Sequence, residues 1–151
     1  MMKIAVGADH RGFNAKSAIK AFLQDLGHTV EDFGTDSTKS CDYPDAALPA
    51  AQAVRDGKCE LGILFCGTGI GMSIAANKVH GIRAALCHDE LTTEMARRHN
   101  NANVLCLPAD LAGDALIKRI VEVWLKTPYE GGRHDTRIQK VADIETGQCR
   151  Q

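Results

Sequence analysis

Apolar and polar positions follow two alternating rhythms along this chain. Short, nearly unbroken apolar runs occur at KIAVGA (3–8), LGILFC (61–66), IRAALC (82–87) and NVLCLP (103–108), each closed by a turn-forming or polar residue. Such runs predict strands, and LGILFC is continuous, as a strand buried on both faces should be. HTVEDFG predicts a further short strand near 28–33. Between the runs, apolar residues return at helical spacing. Over 14–26 they place Ala18, Phe22, Leu23 and Leu26 on one face, with Gly27 as the stop. Helices are also predicted over 45–56, from the end of a glycine loop to about Lys78, from Asp89 to about His99, over 111–126 before Pro128, and over 133–145. Tyr43-Pro44 leads into the second of these helices, and Pro49 is expected to delay or kink its start.

Strands that alternate with helices call for a parallel sheet with helices on both faces. The expectation is an α/β, three-layer, Rossmann-like fold with a five-stranded parallel sheet, in a single domain over 1–151. Ligands of such sheets bind beyond the carboxyl ends of the strands. Here those ends carry Asp9-His10, Cys66-Gly67, Cys87-His88 and Leu107-Pro108.

Composition narrows the partners. The formal net charge of −1 gives no global attraction to nucleic acid or to membranes, so an anionic ligand must be caught by a local cluster. The first apolar run is too short for a signal peptide, and no run approaches a membrane span. A cytoplasmic location is expected. The six cysteines, Cys41, Cys59, Cys66, Cys87, Cys106 and Cys149, show no zinc spacing and are expected as free thiols. Cys87 and Cys106 read as small apolar residues of buried strands, and Cys149 as an incidental residue of a polar tail.

The stretch FCGTGIGMS, residues 65–73, carries the chemistry. Glycines let backbone N–H groups turn inward, and the following helix adds its positive end, so the loop suits an anion. It fits neither the G-x-G-x-x-G dinucleotide fingerprint nor the phosphate-binding loop ending in Gly-Lys-Ser/Thr. The oxyanion of an enediolate is another candidate. Cys66 stands at the mouth of this loop, in surroundings that lower a thiol's pKa and make it a nucleophile or a base. A buried strand-end cysteine followed by an ordinary tight turn is the other reading. His99 and Asn100 can carry a proton and donate to an oxyanion, or can simply complete a helix C-terminus. Asp9-His10 reads as a site pair or as a helix cap with a loop histidine. Arg133 and Arg137 share a helix face with His134 between them, and can hold a phosphate dianion or face solvent.

VGADHRG, the DYP of the polar loop, CGTGIGMSIAANK, GIRAA, RRHNNANVL and YEGGRHDTRI together resemble the type B ribose-5-phosphate isomerases and the related galactose-6-phosphate isomerase subunits. The resemblance runs in order over nearly the whole chain. It implies an aldose–ketose isomerisation through a cis-enediolate, with neither metal nor cofactor, in pentose phosphate metabolism. Carried onto this chain, Cys66 is the base between C1 and C2, and Thr68 helps the O1/O2 proton exchange. The backbone of Gly67, Thr68, Gly69, Ile70 and Gly71, with Asn100, stabilises the enediolate. His99 assists ring opening, with His134 or Asp9 as possible helpers. His10, Arg133 and Arg137 hold the phosphate. The family resemblance also implies a homodimer or homotetramer whose sites are built from two subunits, so that His99 and Asn100 serve the neighbour's Cys66.

One position departs from the pattern. The family commonly has an arginine after the fifth strand that reaches the neighbour's phosphate, and this chain has Asp110 in LPADLAG. A carboxylate there repels a phosphate unless it points away. Ribose 5-phosphate is therefore the first substrate expected, with allose 6-phosphate, galactose 6-phosphate or a tetrulose phosphate as alternatives. A phosphate- or nucleotide-binding module without chemistry is the rival class.

Overall fold

The computed structural model describes residues 1–148, so Cys149 lies outside the described residues. Strands β1 (Lys3–Ala8), β2 (Thr29–Asp32), β3 (Leu61–Cys66), β4 (Ala84–Leu86) and β5 (Val104–Pro108) form one sheet in the order β2-β1-β3-β5-β4. Every pairing is parallel, with Val6 opposite Ile63 and Ile63 opposite Leu105. Six helices accompany them: α1 (Phe13–Asp25), α2 (Tyr43–Arg55), α3 (Ile70–Ala76), α4 (Glu90–Asn100), α5 (Asp114–Lys126) and α6 (Arg133–Glu145).

The pleat divides the apolar residues of each strand between two cores. Ile4, Val6, Ile63, Phe65, Leu105 and Leu107 pack with Ile19 and Leu23 of α1 and with Ile117, Ile120 and Trp124 of α5. Ala5, Leu64, Cys66, Val104 and Cys106 face the other way, onto α2 and α3. Five alanines of α2 are buried there, and their small side chains let the helix lie close to the sheet. Helix α6 lies outside both layers, next to α4.

The elements match the expected pattern, with local differences that have physical causes. Helix α2 begins at Tyr43, ahead of the expected start. Pro44 sits in its first turn, where a missing N–H leaves no bond unmade, and Pro49 is accommodated inside the helix instead of delaying it. Helix α3 stops at Ala76 because the Asn77 side chain ends it: its amide donates to the carbonyls of Ser73 and Ala84, both at 2.9 Å, and its oxygen accepts from the Ala84 N–H at 2.8 Å. Helix α5 starts at Asp114 because Leu111 and Ala112 turn back onto the Pro108 carbonyl. Cys87 directly follows β4 instead of lying in it, yet is buried as expected, and the five described cysteines are all unpaired.

This strand order decides where chemistry can occur. After β1 the chain moves outward to β2 and then crosses to β3 on the other side, so a crevice opens beyond the ends of β1 and β3. The loops after β1, β3 and β5 stand side by side at the middle of the sheet. Cys87-His88, beyond the edge strand β4, falls outside this group.

Candidate active site

Cys66 is the last residue of β3 and is 5% exposed. Its Sγ accepts the backbone N–H of Gly69 at 3.1 Å, so the glycine loop curls over the sulfur. Gly69 is left-handed, with φ +75°, and a Cβ there would lie 2.5 Å from Leu86 Cδ1 and 3.1 Å from the Leu107 carbonyl carbon. Only glycine turns this corner without displacing its neighbours. The Ile70 N–H is taken by Thr68 Oγ1 at 3.3 Å. The N–H groups of Gly67, Thr68 and Gly71 have no hydrogen-bond partner among the described residues. The loop N–H groups without a partner are therefore these three, and those of Gly69 and Ile70 are engaged. The ring of Tyr43 closes the back of the loop: a Cβ on Gly71 would lie 2.7 Å from its Cζ.

The loop after β1 supplies one wall. Buried Asp9 ties the turn that leads into α1: its Oδ1 accepts the N–H groups of Arg11 at 2.9 Å and Gly12 at 3.1 Å, while the N-cap of α1 is Gly12 and has no side-chain cap. His10 Nδ1 lies 3.2 Å from both the N–H and the carbonyl of Cys41. In the neutral ring, accepting the Cys41 N–H places the proton on Nε2, which leaves a donor for a ligand. The loop after β5 supplies the other wall. The backbone N–H of Asp110 bonds the Gly67 carbonyl at 3.0 Å, and its carboxylate forms an ion pair with Arg11. The departure seen in the sequence is thus neutralised: Asp110 neither points away nor stands as a bare charge.

His99, Asn100, Arg133, His134 and Arg137 gather elsewhere. The rings of His99 and His134 stack with centroids 4.3 Å apart. Glu130 lies beside both, its carboxylate 3.9 Å from His99 Nε2 and 3.8 Å from His134 Nε2, and Arg98 holds it at 3.1 Å. Burial, together with the charges of His99 and Arg133, pushes the buried His134 imidazole below its ordinary value, against the pull of Glu130. Arg133 and Arg137 are exposed, one turn apart on α6, and form no ion pair with a described residue. Asn100 is exposed at the end of α4, and its carbonyl accepts from Arg83 Nε at 3.0 Å.

These two groups lie at opposite ends of the sheet. Helix α4 leaves the carboxyl end of β4 and returns to the amino end of β5, and its 11 residues span about 16 Å. His99 and Asn100 are therefore on the amino side, where Glu130 N–H bonds the Arg98 carbonyl and brings the start of α6 alongside. Cys66, Thr68, Asp9 and His10 are on the carboxyl side. One chain holds two candidate half-sites and does not bring them together.

Residues 4–141 match the family described as Ribose/Galactose Isomerase. This chain belongs to the ribose/galactose isomerase family. Ribose-5-phosphate isomerase B of Escherichia coli is 47% identical over 145 residues, covering 96% of this chain and 97% of that protein. D-erythrulose-4-phosphate isomerase of Pectobacterium atrosepticum is 46% identical over 146 residues, covering 96% of each. The structure of ribose-5-phosphate isomerase B from Clostridium thermocellum superposes with a TM-score of 0.96 at 50% identity, over 97% of this chain and 99% of that one. The ribose/galactose isomerase match runs from β1 into α6 and so spans both groups of candidate residues. Sequence reading gave no site role to Arg11, Tyr43 or Glu130. Glu130 had a signal, since it stands four residues before His134; the Arg11–Asp110 pair spans 99 positions and had none.

Proposed function

We propose that this chain interconverts ribose 5-phosphate and ribulose 5-phosphate through a cis-enediolate, with Cys66 as the base. The observation that carries the reading is a sulfur held by one loop N–H beside three N–H groups left without a partner. The Cys66 thiolate takes the proton from C2 of the open-chain aldose, and the charge that develops on the oxygens meets the donors of Gly67, Thr68 and Gly71. Preorganised donors of this kind contribute about 3–4 kcal/mol each. The Thr68 hydroxyl exchanges the proton between O1 and O2, and the Cys66 thiol returns its proton to C1. His99, with neutral His134 stacked on it, opens the sugar ring. His10, Arg133 and Arg137 hold the phosphate dianion, and Asn100 adds a donor at the enediolate.

Because one chain separates these groups, the working enzyme in this reading is a homodimer, or a pair within a homotetramer, in which the partner's amino-side group faces Cys66. Half-exposed Ile70 and Ile74 next to a groove of about 580 Å³ between Tyr43, Leu48 and Lys78 support an assembly through α2 and α3, beside the glycine loop. The described cysteines are unpaired, which suits the reducing cytoplasm. The similarity to D-erythrulose-4-phosphate isomerase of Pectobacterium atrosepticum favours a second reading, the same chemistry on a four-carbon sugar phosphate.

Proton NMR of ribose 5-phosphate in D2O, with purified protein and a chelator, tests the proposal. Ribulose 5-phosphate should form with deuterium entering at the transferred position. A folded protein that converts D-erythrulose 4-phosphate and leaves ribose 5-phosphate untouched would select the four-carbon reading.

A further inference from the structure

The loops that meet around Cys66 run over residues 9–12, 67–71 and 108–113, and among them Arg11 is the one lysine or arginine. Its surroundings hold it in place. The Arg11 N–H is fixed on buried Asp9, and its side-chain Nε donates to Asp110, whose own backbone is bonded to Gly67. The ion pair lies flat against Gly67, the residue after Cys66. A Cβ at that position would come within 2.6 Å of Asp110 Oδ2 and 3.3 Å of Arg11 Cδ and Nε. The missing side chain at Gly67 is what lets a guanidinium settle at the edge of the loop. Asp110 engages Nε alone. Nη1 and Nη2, on the far edge of the fork, have no hydrogen-bond partner among the described residues, and the side chain is 60% exposed. A guanidinium anchored at one corner with its two-nitrogen edge free is arranged for bidentate contact with a phosphate.

We infer that Arg11 is a further phosphate-binding residue, and that the substrate's phosphate is caught between Arg11 on one half-site and Arg133 and Arg137 on the other. This rests on the sugar-phosphate reading above.

Inorganic phosphate is the probe, titrated calorimetrically into wild type, Arg11→Met, Arg11→Lys and the double variant Arg11→Met/Asp110→Asn, each checked for an unchanged melting temperature. Arg11→Met should weaken phosphate binding by roughly tenfold or more, with Arg11→Lys recovering part of it. The double variant should stay weak, since both contact atoms are gone. Recovery of wild-type affinity in the double variant would show that Arg11 only neutralises Asp110, and the inference would be wrong. Unchanged binding in Arg11→Met, or no phosphate binding by wild type, would overturn it as well. In turnover, Arg11→Met should raise KM for the phosphosugar and leave kcat within a few-fold. Turnover by wild type reports separately on the substrate: phosphate binding that depends on Arg11, without ribose 5-phosphate conversion, would support Arg11 and remove the proposed sugar.

Discussion

At Gly69 the backbone conformation and the hydrogen bond to Cys66 are the same feature. Its left-handed φ points the N–H at Cys66 Sγ, and a Cβ would press on Leu86 and the Leu107 backbone. Gly69→Ala should therefore cost about 1–3 kcal/mol of stability, measured by urea unfolding, and lower turnover more than that loss explains. A folded variant with full turnover would separate the glycine from the chemistry. Cys66→Ala should leave the melting temperature near wild type and abolish isomerisation. His134 offers a check on the amino-side group. Burial, His99 and Arg133 hold its imidazole below the ordinary value, and Glu130 opposes them. An NMR titration should place its midpoint below 6.5, and Glu130→Gln should lower it further. At this scale the sequence was informative about residue types: Cys66, the glycines, His99 and the arginine pair all stood out. It could not say which loop N–H groups stay free, because that depends on where Thr68 and Cys66 turn.

Elements were the most legible level, since period and punctuation reflect local physics. β3 and α6 lie where the apolar pattern put them, and Asp89 caps α4 by accepting the Thr92 N–H at 2.7 Å. The misplaced ends belong to α2, α3 and α5, where Pro44, the Asn77 side chain and the Pro108 carbonyl outweigh the periodic pattern. Lys16 is a stronger case of such override. A lysine in the middle of α1 reads as a solvated position, yet it is 2% exposed, bonded at 2.6 Å to both Asp32 Oδ1 and the Thr35 carbonyl. It ties α1 to the end of β2 and to the loop beyond. Lys16→Met should destabilise the fold by about 3 kcal/mol, because the Asp32 carboxylate loses its buried partner. Burial alone would raise Asp32, but Lys16, the Gly34 N–H and Lys20 outweigh it and hold it below 3.8. Its contribution is therefore complete above that pH and is lost as the pH falls through the lowered value. The stability gap between wild type and Lys16→Met, followed by denaturant unfolding across pH, should narrow below about pH 4. A gap that persists in acid would mean that Lys16 acts through packing alone.

For the whole molecule, the alternation of strands and helices was enough to infer a parallel sheet, but strand order was not legible. Order is what sets β1, β3 and β5 side by side, joins Arg11 to Asp110, and leaves His99 and Arg137 at the far end of the sheet. The same geometry makes the central claim that Cys66 works with the amino-side group of a second copy. The direct test is to co-express Cys66→Ala with Arg133→Ala/Arg137→Ala under different affinity tags and purify the mixed assembly. Each variant alone should be inactive or severely impaired. A mixed dimer keeps one site with Cys66 from one chain and both arginines from the other, so it should recover about half the wild-type turnover. A mixed assembly no more active than its parents would contradict a site shared between copies.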